Sequence, residues 1–599
     1  MIQYKYIKDQ HVLNDLIPRL LEYKAWGLDL ETSGLDPHQH KILLCQIGRP
    51  DENYVIDTRY CDLRVLKDCF FENRDMVKIA HQGKFEYKFI RALGIYCEKI
   101  RCTFLAEKVL NAGKKNYLED SKLDEVVLRK LKREMGFDKK AMQLSFVGHV
   151  GDFTDKQLQY AASDTDVLLP LLQYQWKQLV EVNLLNTFIL ESEALPVFSD
   201  IEFDGIPLSG KLWSENIAKN KLTLSQLGAE LDLIRDNSMF QTDPVNYGSS
   251  DQVLKIIRKM GLKSPSYSKE KQCEVMKLVT STGKDTLAYL AKYPFVNKLL
   301  QWRSMSTRIS NFGEGYLKSI HPVTGMIHPE IFQIGASNGR ITKSPDGPNF
   351  LNIPREGGFR ECVIAPDGYV MENDDYVTGE PRIVANNSGC RKMIDIFNRG
   401  EDFYLGASRE MHGTVCNLID RPLYKKLALS IHYGEGVVGF YEDLRINGST
   451  IDMKEASASY YKYKQTFREV IDYLESNGRL ACEQLYLANG NGRRRYWDNP
   501  LTDAHKAAVR REGGNYMISS VNADFIKVAL TNIRRYIIDN KVRSRVVNSV
   551  YDDILTCTHE HDSQTFHAAK QKIMQDAAEM FIKKVRMPIS GAVLKHWSK

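Results

Sequence analysis

Four acids in the first third of the chain have the types and spacing of a site for hard cations. In "GLDLET", Asp29 and Glu31 stand two apart, so on a strand both side chains leave the same face. Two carboxylates on one face suit a divalent cation such as Mg2+; a solvent-facing acidic strand would read the same. "HQGKFEYKFI" sets Glu86 on a helix between Phe85 and Phe89, and "YAASDTD" sets Tyr160 and Asp164 at i and i+4, one helical face. A second group lies farther along. "YVMENDDYVTGEPRIV" runs from an apolar strand into Asp375 and Glu380, and "VVNSVYDDILTCTH" reads as a buried strand with Asp552 and Asp553 at its centre. Burying two adjacent carboxylates is costly unless something cationic meets them. Between these segments, "RPLYKKLALSIHYGEG" places Arg421, Lys425, Leu429 and Tyr433 four apart, a stripe along one helix face. The stripe passes from cations to an apolar residue to an aromatic. A nucleoside triphosphate needs that order: cations for phosphates, then a flat apolar surface for a base. Alone, the stripe also fits an amphipathic surface helix.

The elements that must position these residues fall into blocks. Residues 1 to about 185 alternate apolar strands ("AWGLDLETSGL", "KILLCQIG") with helical stretches ("HQGKFEYKFIRALG", "DKQLQYAASDTDVLLPLLQYQW"), an α/β pattern. Residues 190 to about 315 read as mostly helical and rich in Lys, Leu and Ser. From about 316 a mixed region begins, interrupted by a helix-rich segment at about 400–480 and closed by the Asp552 strand. A chain of 599 residues is too long for one core. A net charge of +6 permits a polyanionic partner without requiring one. The eleven cysteines form no CxxC pair, which points to reduced thiols in the cytosol. The N-terminus is too polar for a signal peptide, and no apolar run reaches membrane-spanning length. "STGKDT" at Ser281 lacks the first glycine of a Walker A loop, since position 278 is Leu.

The order Asp29-x-Glu31, His81-x-x-x-Phe85-Glu86, Tyr160-x-x-x-Asp164 resembles the DEDD superfamily of 3′–5′ exonucleases, tyrosine subtype. The resemblance implies an RNase H-like domain in which Asp29, Glu31, Glu86 and Asp164 hold two metal ions. One generates the attacking hydroxide and the other steadies the leaving 3′ oxygen, while Tyr160 orients the water. Glu86 stands where the family usually has Asp, so its carboxylate is pushed outward and weaker hydrolysis is expected.

The later segments resemble motifs A, B and C of family A DNA polymerases, the Klenow-type enzymes. "DYVTGEPRI" supplies Asp375 as a metal-binding acid and Glu380 as the residue that excludes a ribose 2′-OH. "RPLYKKLALSIHYG" supplies Arg421 and Lys425 for the triphosphate and Tyr433 beside the nascent pair. "VYDDIL" supplies Asp552 as the second metal-binding acid and Asp553 where Glu is usual. Further matches are Gly339-Arg340, Asn352-Ile353-Pro354, Arg511 and Asn515 in "RREGGNYMISSVNADFIK", and "SEALPVFSDIEFDGIPLS" at a join between exonuclease and thumb. The resemblance covers essentially the whole chain, in family order.

It implies an α/β and α+β multidomain architecture: an exonuclease domain (1–188), then a right-hand polymerase with thumb (189–315), palm (316–399), fingers (400–480) and palm again with motif C (481–599). It implies two Mg2+ per active site, with Mn2+ able to substitute. The expected partners are primer–template DNA and dNTPs. The chain is expected to be a monomer in the cytoplasm (the host cytoplasm if viral), away from membranes; helicase or single-strand-binding partners are not legible. Arg511, Asn515 and Arg360 would meet minor-groove acceptors that every base pair presents, with Arg340 and Ser519 also at the DNA. Thumb cations, Arg303 among them, would grip phosphates.

Departures cluster at the nascent pair. Leu429 replaces an aromatic against the incoming sugar, Tyr404 in "EDFYLGAS" a phosphate-contacting His, Ser519 a minor-groove Gln, and Pro381 an aliphatic residue. A smaller Ser519 would admit the extra minor-groove amino group of 2-aminoadenine, which some bacteriophages use; drift is the plainer reading. The expectation is a chain with no 5′-nuclease segment before residue 1 and no long thumb insertion for a processivity factor. Both suit a bacteriophage replicase, with a bacterial repair enzyme as the alternative. The competing functions are an exonuclease with a non-catalytic nucleic-acid-binding C-terminal region, and a scaffold. Asp375, Asp552 and Lys425 argue against the first, the two acid clusters against the second, and Glu380 against an RNA polymerase.

Overall fold

The computed structural model describes residues 2–114, 121–237, 244–268, 273–414, 420–446, 449 and 451–598. Six strands near the N-terminus form one mixed sheet, in the order Tyr4–Ile7, Glu52–Asp57, Ile42–Arg49, Ala25–Thr32, Val77–Ala80, Ile100–Cys102. Ala25–Thr32 runs antiparallel to Ile42–Arg49 and parallel to Val77–Ala80. Ile42–Arg49 is buried on both faces for nearly its whole length, which is why it reads as a continuous apolar run. The Asp155–Glu181 helix begins at a capping box of Thr154 and Gln157 and lies across this sheet. A Cβ on Gly48 would fall 2.5 Å from the Thr165 hydroxyl, so glycine there lets the helix carrying Tyr160 and Asp164 settle onto the strands.

A second sheet has four antiparallel strands in the order Ser544–Val550, Asp553–His559, Tyr369–Tyr376, Ile589–Leu594. Met371, Val547, Ile554 and Leu555 are buried against its helices, each burial stabilising by about 1.5–3 kcal/mol. The segment expected to be one strand across Asp552 and Asp553 is instead a hairpin. Its strands end at Val550 and restart at Asp553, with Tyr551 and Asp552 as the turn. The aspartates therefore stand at an end of the sheet rather than in its middle.

Three of the four expected domain limits fall inside helices, and the 399/400 limit falls between Arg391–Asn398 and Phe403–His412. The 188/189 limit lies within Leu185–Asp204, whose Phe188 belongs to the core beneath the first sheet and whose Val197, Phe198 and Ile201 belong to the core beneath the second. The 480/481 limit lies within Arg468–Gln484, and 315/316 within Glu314–Leu317. The expected thumb packs Gly210–Asn237 on Pro294–Phe312 around its own core of Leu231, Val253, Leu287 and Leu299. It also contains an antiparallel hairpin, Lys263–Ser268 with Cys273–Leu278, in a stretch read as mostly helical.

The helix Asp503–Asp539, of 37 residues, ties the two sheets together through buried charges. Lys527 pairs with Glu191 at 2.6 Å and Arg493 pairs with Asp524 at 2.6 Å, while Arg493 also pairs with Glu191. Near its end, Arg534 donates to Glu98 (2.8 Å), Asp200 (2.7 Å) and the Tyr87 hydroxyl (2.9 Å). Among the described residues no helix is long and apolar enough to cross a membrane, and the described cysteines are free thiols.

Candidate functional site

Two carboxylate clusters are present. In the first, Asp29 and Glu31 leave one face of Ala25–Thr32, Glu86 stands in the first turn of Lys84–Ala92, and Tyr160 and Asp164 share a face of Asp155–Glu181. Glu31, Glu86, Tyr160 and Asp164 are buried. Burial raises the pKa of all four acids. At Asp29 the charges of Asp164, Glu31 and Glu86 add to it, and Glu86 is pushed up to about 8. The longer Glu86 arm thus still reaches the cluster, since its charge acts on both Asp29 and Glu31. Glu86 Oε2 and Asp164 Oδ1 are buried with no hydrogen-bond partner, a costly state for a carboxylate. The Tyr160 ring packs edge-on against Phe137, 5.6 Å between centroids, and burial keeps its phenol protonated. His81 serves the scaffold: its ring nitrogens contact Thr103 Oγ1 at 2.9 Å and the Ser121 carbonyl at 2.8 Å. Burial holds it neutral, with a pKa near about 3.

In the second cluster the strand register sets Asp375 directly opposite Asp553, with Asp552 next to it in the turn. Burial, then the charges of Asp375, Asp553 and Glu380, push Asp552 up to about 7. Asp374, one residue before Asp375, points to the other face and has a different fate. There Lys570 (2.8 Å), His567 (2.9 Å) and Gln571 (2.8 Å) surround it. Burial alone would raise its pKa, but these partners hold it down to about 2. Two non-glycine residues with left-handed backbone flank the acids, Thr378 (φ 55°) and Tyr551 (φ 58°). Each costs about 1–2 kcal/mol, strain that the surrounding packing must hold in place.

Both clusters fit divalent cations. Among the described residues no three His, Cys, Asp or Glu side chains already form a group that holds a metal alone. Mg2+, however, binds through one or two carboxylates, keeps several waters and takes substrate phosphates as ligands. Mutually repelling acids and orphaned carboxylate oxygens are the donor set it requires.

The second cluster meets the Arg421–His432 helix at the helix end, where Tyr433 reaches Glu380. Arg421, Lys425 and Leu429 line it, and the Tyr433 N–H donates to the Leu429 carbonyl at 2.9 Å, which carries the stripe one residue past the helix end. The chain then turns at Gly434 (φ 73°), where a Cβ would lie 3.1 Å from Arg511 Cγ. The Tyr433 hydroxyl donates to Glu380 at 2.7 Å, and Arg340 donates to the same carboxylate at 2.9 Å. Arg340 also lies 5.7 Å from the Tyr551 ring. An ion pair, a hydrogen-bonded hydroxyl and a cation–π contact thus link Glu380, the stripe and the Asp552 turn. Arg421 is gripped by Asp402 at 2.7 Å and lies over the Tyr404 ring at 4.9 Å. Lys425 and Arg511 are exposed, and Asn515 holds a buried Nδ2 with no hydrogen-bond partner.

Four expected contacts are placed differently. Tyr404 is buried behind Arg421, so it backs that cation and does not offer an exposed hydroxyl to phosphate. Arg303 donates to the Tyr247 carbonyl (3.1 Å) and the Thr282 carbonyl (2.6 Å), which makes it a brace of the thumb core. Arg360 is buried over Trp597 and donates to the Ile353 carbonyl at 3.1 Å; its cation acts on Asp553 from within. Ser519 is buried and donates to the Asn515 carbonyl at 3.1 Å. The room expected there for an extra base amino group is not on the surface.

Some residues were not legible as part of a site. Asp402 caps the Phe403–His412 helix through the N–H groups of Tyr404 and Leu405 while holding Arg421; an Asp ahead of a helix was the available signal. Lys139 and Asp124 face the first cluster, acting on Asp164 from opposite signs, and nothing in their local sequence marks them.

Comparison with known proteins agrees with this geometry. Residues 218–599 match the model of DNA polymerase family A, and residues 4–180 match that of a 3′–5′ exonuclease. The chain is 24% identical to DNA polymerase I of Chloroflexus aurantiacus over 98% of its own length and 62% of that protein's. It is 24% identical to DNA polymerase I of Pseudomonas aeruginosa, of which it spans 66%, and 25% identical to that of Aquifex aeolicus with all of both chains covered. The chain thus spans about three fifths to two thirds of the first two relatives. The fold is similar to the polymerase domain of Pol1 from M. smegmatis in complex with DNA primer-template and dNTP, with a TM-score of 0.82, 20% identity and 99% of each chain covered. The chain belongs to DNA polymerase family A.

Proposed function

We propose that this chain extends a DNA primer on a template and removes nucleotides from a 3′ end. The observation that carries the reading is the presence of two separate carboxylate clusters, in each of which the acids raise one another's pKa, one at the six-stranded and one at the four-stranded sheet. Asp375 and Asp552 would hold the cations of synthesis, and Asp29, Glu31, Glu86 and Asp164 those of hydrolysis. Mg2+ is the proposed ion, with Mn2+ as a substitute. Bound at either cluster, a divalent cation activates the attacking oxygen and neutralises charge on the phosphate.

In synthesis, the primer 3′-OH attacks the α-phosphate of a dNTP and pyrophosphate leaves. Arg421 and Lys425 would meet the triphosphate, and Lys425 would stabilise or protonate the leaving phosphates. Glu380, fixed by Arg340 and Tyr433, would block a ribose 2′-OH. Arg511 and Asn515 would test pair geometry in the minor groove. Closure of residues 400–480 over a correct pair would supply selectivity by induced fit. In hydrolysis, Tyr160 would hold the attacking water by its protonated phenol. The proposed partners are primer–template DNA and dNTPs, the proposed state a cytoplasmic monomer.

The test is extension of a 5′-labelled primer on a longer template with Mg2+ and dNTPs. Extension by the wild type that Asp552→Asn abolishes is expected. Shortening alone by the wild type, even with dNTPs, would mean that the second cluster does no synthesis.

A further inference from the structure

We propose that Asp402 and the Tyr404 ring are positioning residues for the nucleotide: together they hold the Arg421 guanidinium in one orientation before a triphosphate arrives, and so set the affinity for the incoming dNTP. This rests on the synthesis reading above. The Phe403–His412 helix starts at Asp402, whose Oδ1 accepts from the N–H groups of Tyr404 at 3.0 Å and Leu405 at 3.1 Å. That cap fixes the carboxylate to the helix end. Its other oxygen, Oδ2, accepts from Arg421 Nε at 2.9 Å and from Nη2 at 2.7 Å. Arg421 is the first residue of the Arg421–His432 helix, so one carboxylate fastens the starts of two helices. The His412 ring lies edge-on to Tyr424 at 6.2 Å and ties the same two helices again.

The platform under the guanidinium is part of the core. Tyr404 is buried and meets Phe403 edge-on at 5.3 Å, and Phe403 stacks on Phe397 at 5.2 Å. The Arg421 guanidinium carbon lies 4.9 Å from the Tyr404 ring centre. A ring on its face and a carboxylate on one edge leave the planar group little freedom. Of its five N–H donors, Asp402 takes the one on Nε and one on Nη2. Nη1 has no partner among the described residues, and the side chain is 35% exposed. Nη1 and the second Nη2 donor therefore remain for two phosphate oxygens, the bidentate geometry that suits arginine. Lys425, one turn on, is exposed and pairs with no acid among the described residues. The two cations thus differ: Arg421 is preset, whereas Lys425 must be ordered by the nucleotide. Presetting spares the rotamer freedom that an arginine gives up on binding, which acts on affinity and not on the chemical step. Asp402 also offsets part of the Arg421 charge, an effect of opposite sign, and the KM for dNTP reads which of the two prevails.

The test uses the full chain as Asp402→Asn, Tyr404→Leu, Arg421→Ala and the Asp402→Asn/Arg421→Ala double variant, in single-nucleotide insertion on a labelled primer–template with Mg2+. Asn caps a helix about as well as Asp but carries no charge, so the helix start is kept while the grip on Arg421 is lost. Asp402→Asn is expected to raise the KM for dNTP about 3- to 10-fold, with kcat within about twofold, and Tyr404→Leu to raise it by a smaller factor. With Arg421→Ala already present, Asp402→Asn is expected to raise KM no further. Trimming of a single strand at the first cluster, at the wild-type rate in all variants, reports intact folding. An unchanged KM in Asp402→Asn would overturn the proposal and leave Asp402 as a helix cap; a lowered KM would overturn it by making Asp402 a competitor of the phosphates. An equal rise in KM with and without Arg421 would overturn it as well. Absence of insertion by the wild type would instead overturn the synthesis reading, and the proposal with it.

Discussion

In the first cluster the acids are set into the interior. They come from a central strand and two helices, three of the four are buried, and Tyr160 shares a helix face with Asp164. In the second cluster Asp375 and Asp552 stand at the open end of a sheet, on a strand terminus and a two-residue turn held by left-handed backbone. The first cluster is preformed by packing, whereas the second is assembled by register and strain and is linked by Glu380, Arg340 and Tyr433 to the helix that would bring the nucleotide. A buried site suits a substrate end that threads in. An open one suits a substrate that must be enclosed anew at each step.

The comparison breaks most sharply if the clusters share work. Asp375→Ala is expected to lower primer extension at least about 10³-fold while single-strand trimming stays within twofold, read on the same labelled primer. Next in size is the joint between the regions. Glu191→Ala leaves Lys527 and Arg493 buried without their shared acid, a loss of about 3–5 kcal/mol. Thermal unfolding should show a lower melting temperature for the variant; an unchanged one would mean the joint is not structural. Glu380→Ala sharpens the open site. Ribonucleotide insertion relative to deoxyribonucleotide is expected to rise by about 10- to 100-fold, measured by single-nucleotide extension.

The smallest effect concerns pH. The folded pKa of Asp552, about 7, lies above its ordinary value. Its contribution to stability is therefore present at low pH and lost as pH rises through about 7. In chelator, Asp552→Asn is expected to be more stable than the wild type at pH 8.5, by roughly 1–3 kcal/mol. The gap should narrow at pH 6 and close when Mg2+ is added to the wild type at pH 8.5. Melting curves at both pH values check this.

Much of both sites was legible because their residues sit on regular elements. The two-residue spacing of Asp29 and Glu31 survives on a strand, and the four-residue spacing of Tyr160 and Asp164 survives on a helix. What was missed depends on which neighbour a side chain meets. Asp374 and Asp375 are chemically identical, and only the strand's alternation separates the one held by Lys570 from the one at the cleft. Ser519 was placed at a groove by its position in a motif, but its helix face is packed. The turn at Tyr551 could not be inferred from apolar neighbours, since it lacks the Gly or Asn that marks a hairpin.

The most direct test of two independent clusters is one reaction that needs both. A 5′-labelled primer ending in a mismatch is annealed to a longer template and incubated with Mg2+ and dNTPs. The wild type should trim the mismatch and then extend to full length with the correct sequence. Asp29→Ala should extend slowly and retain the mismatch, and Asp552→Asn should only shorten the primer. Removal of the mismatch by Asp29→Ala, or extension by Asp552→Asn, would contradict the division of labour between the two sheets.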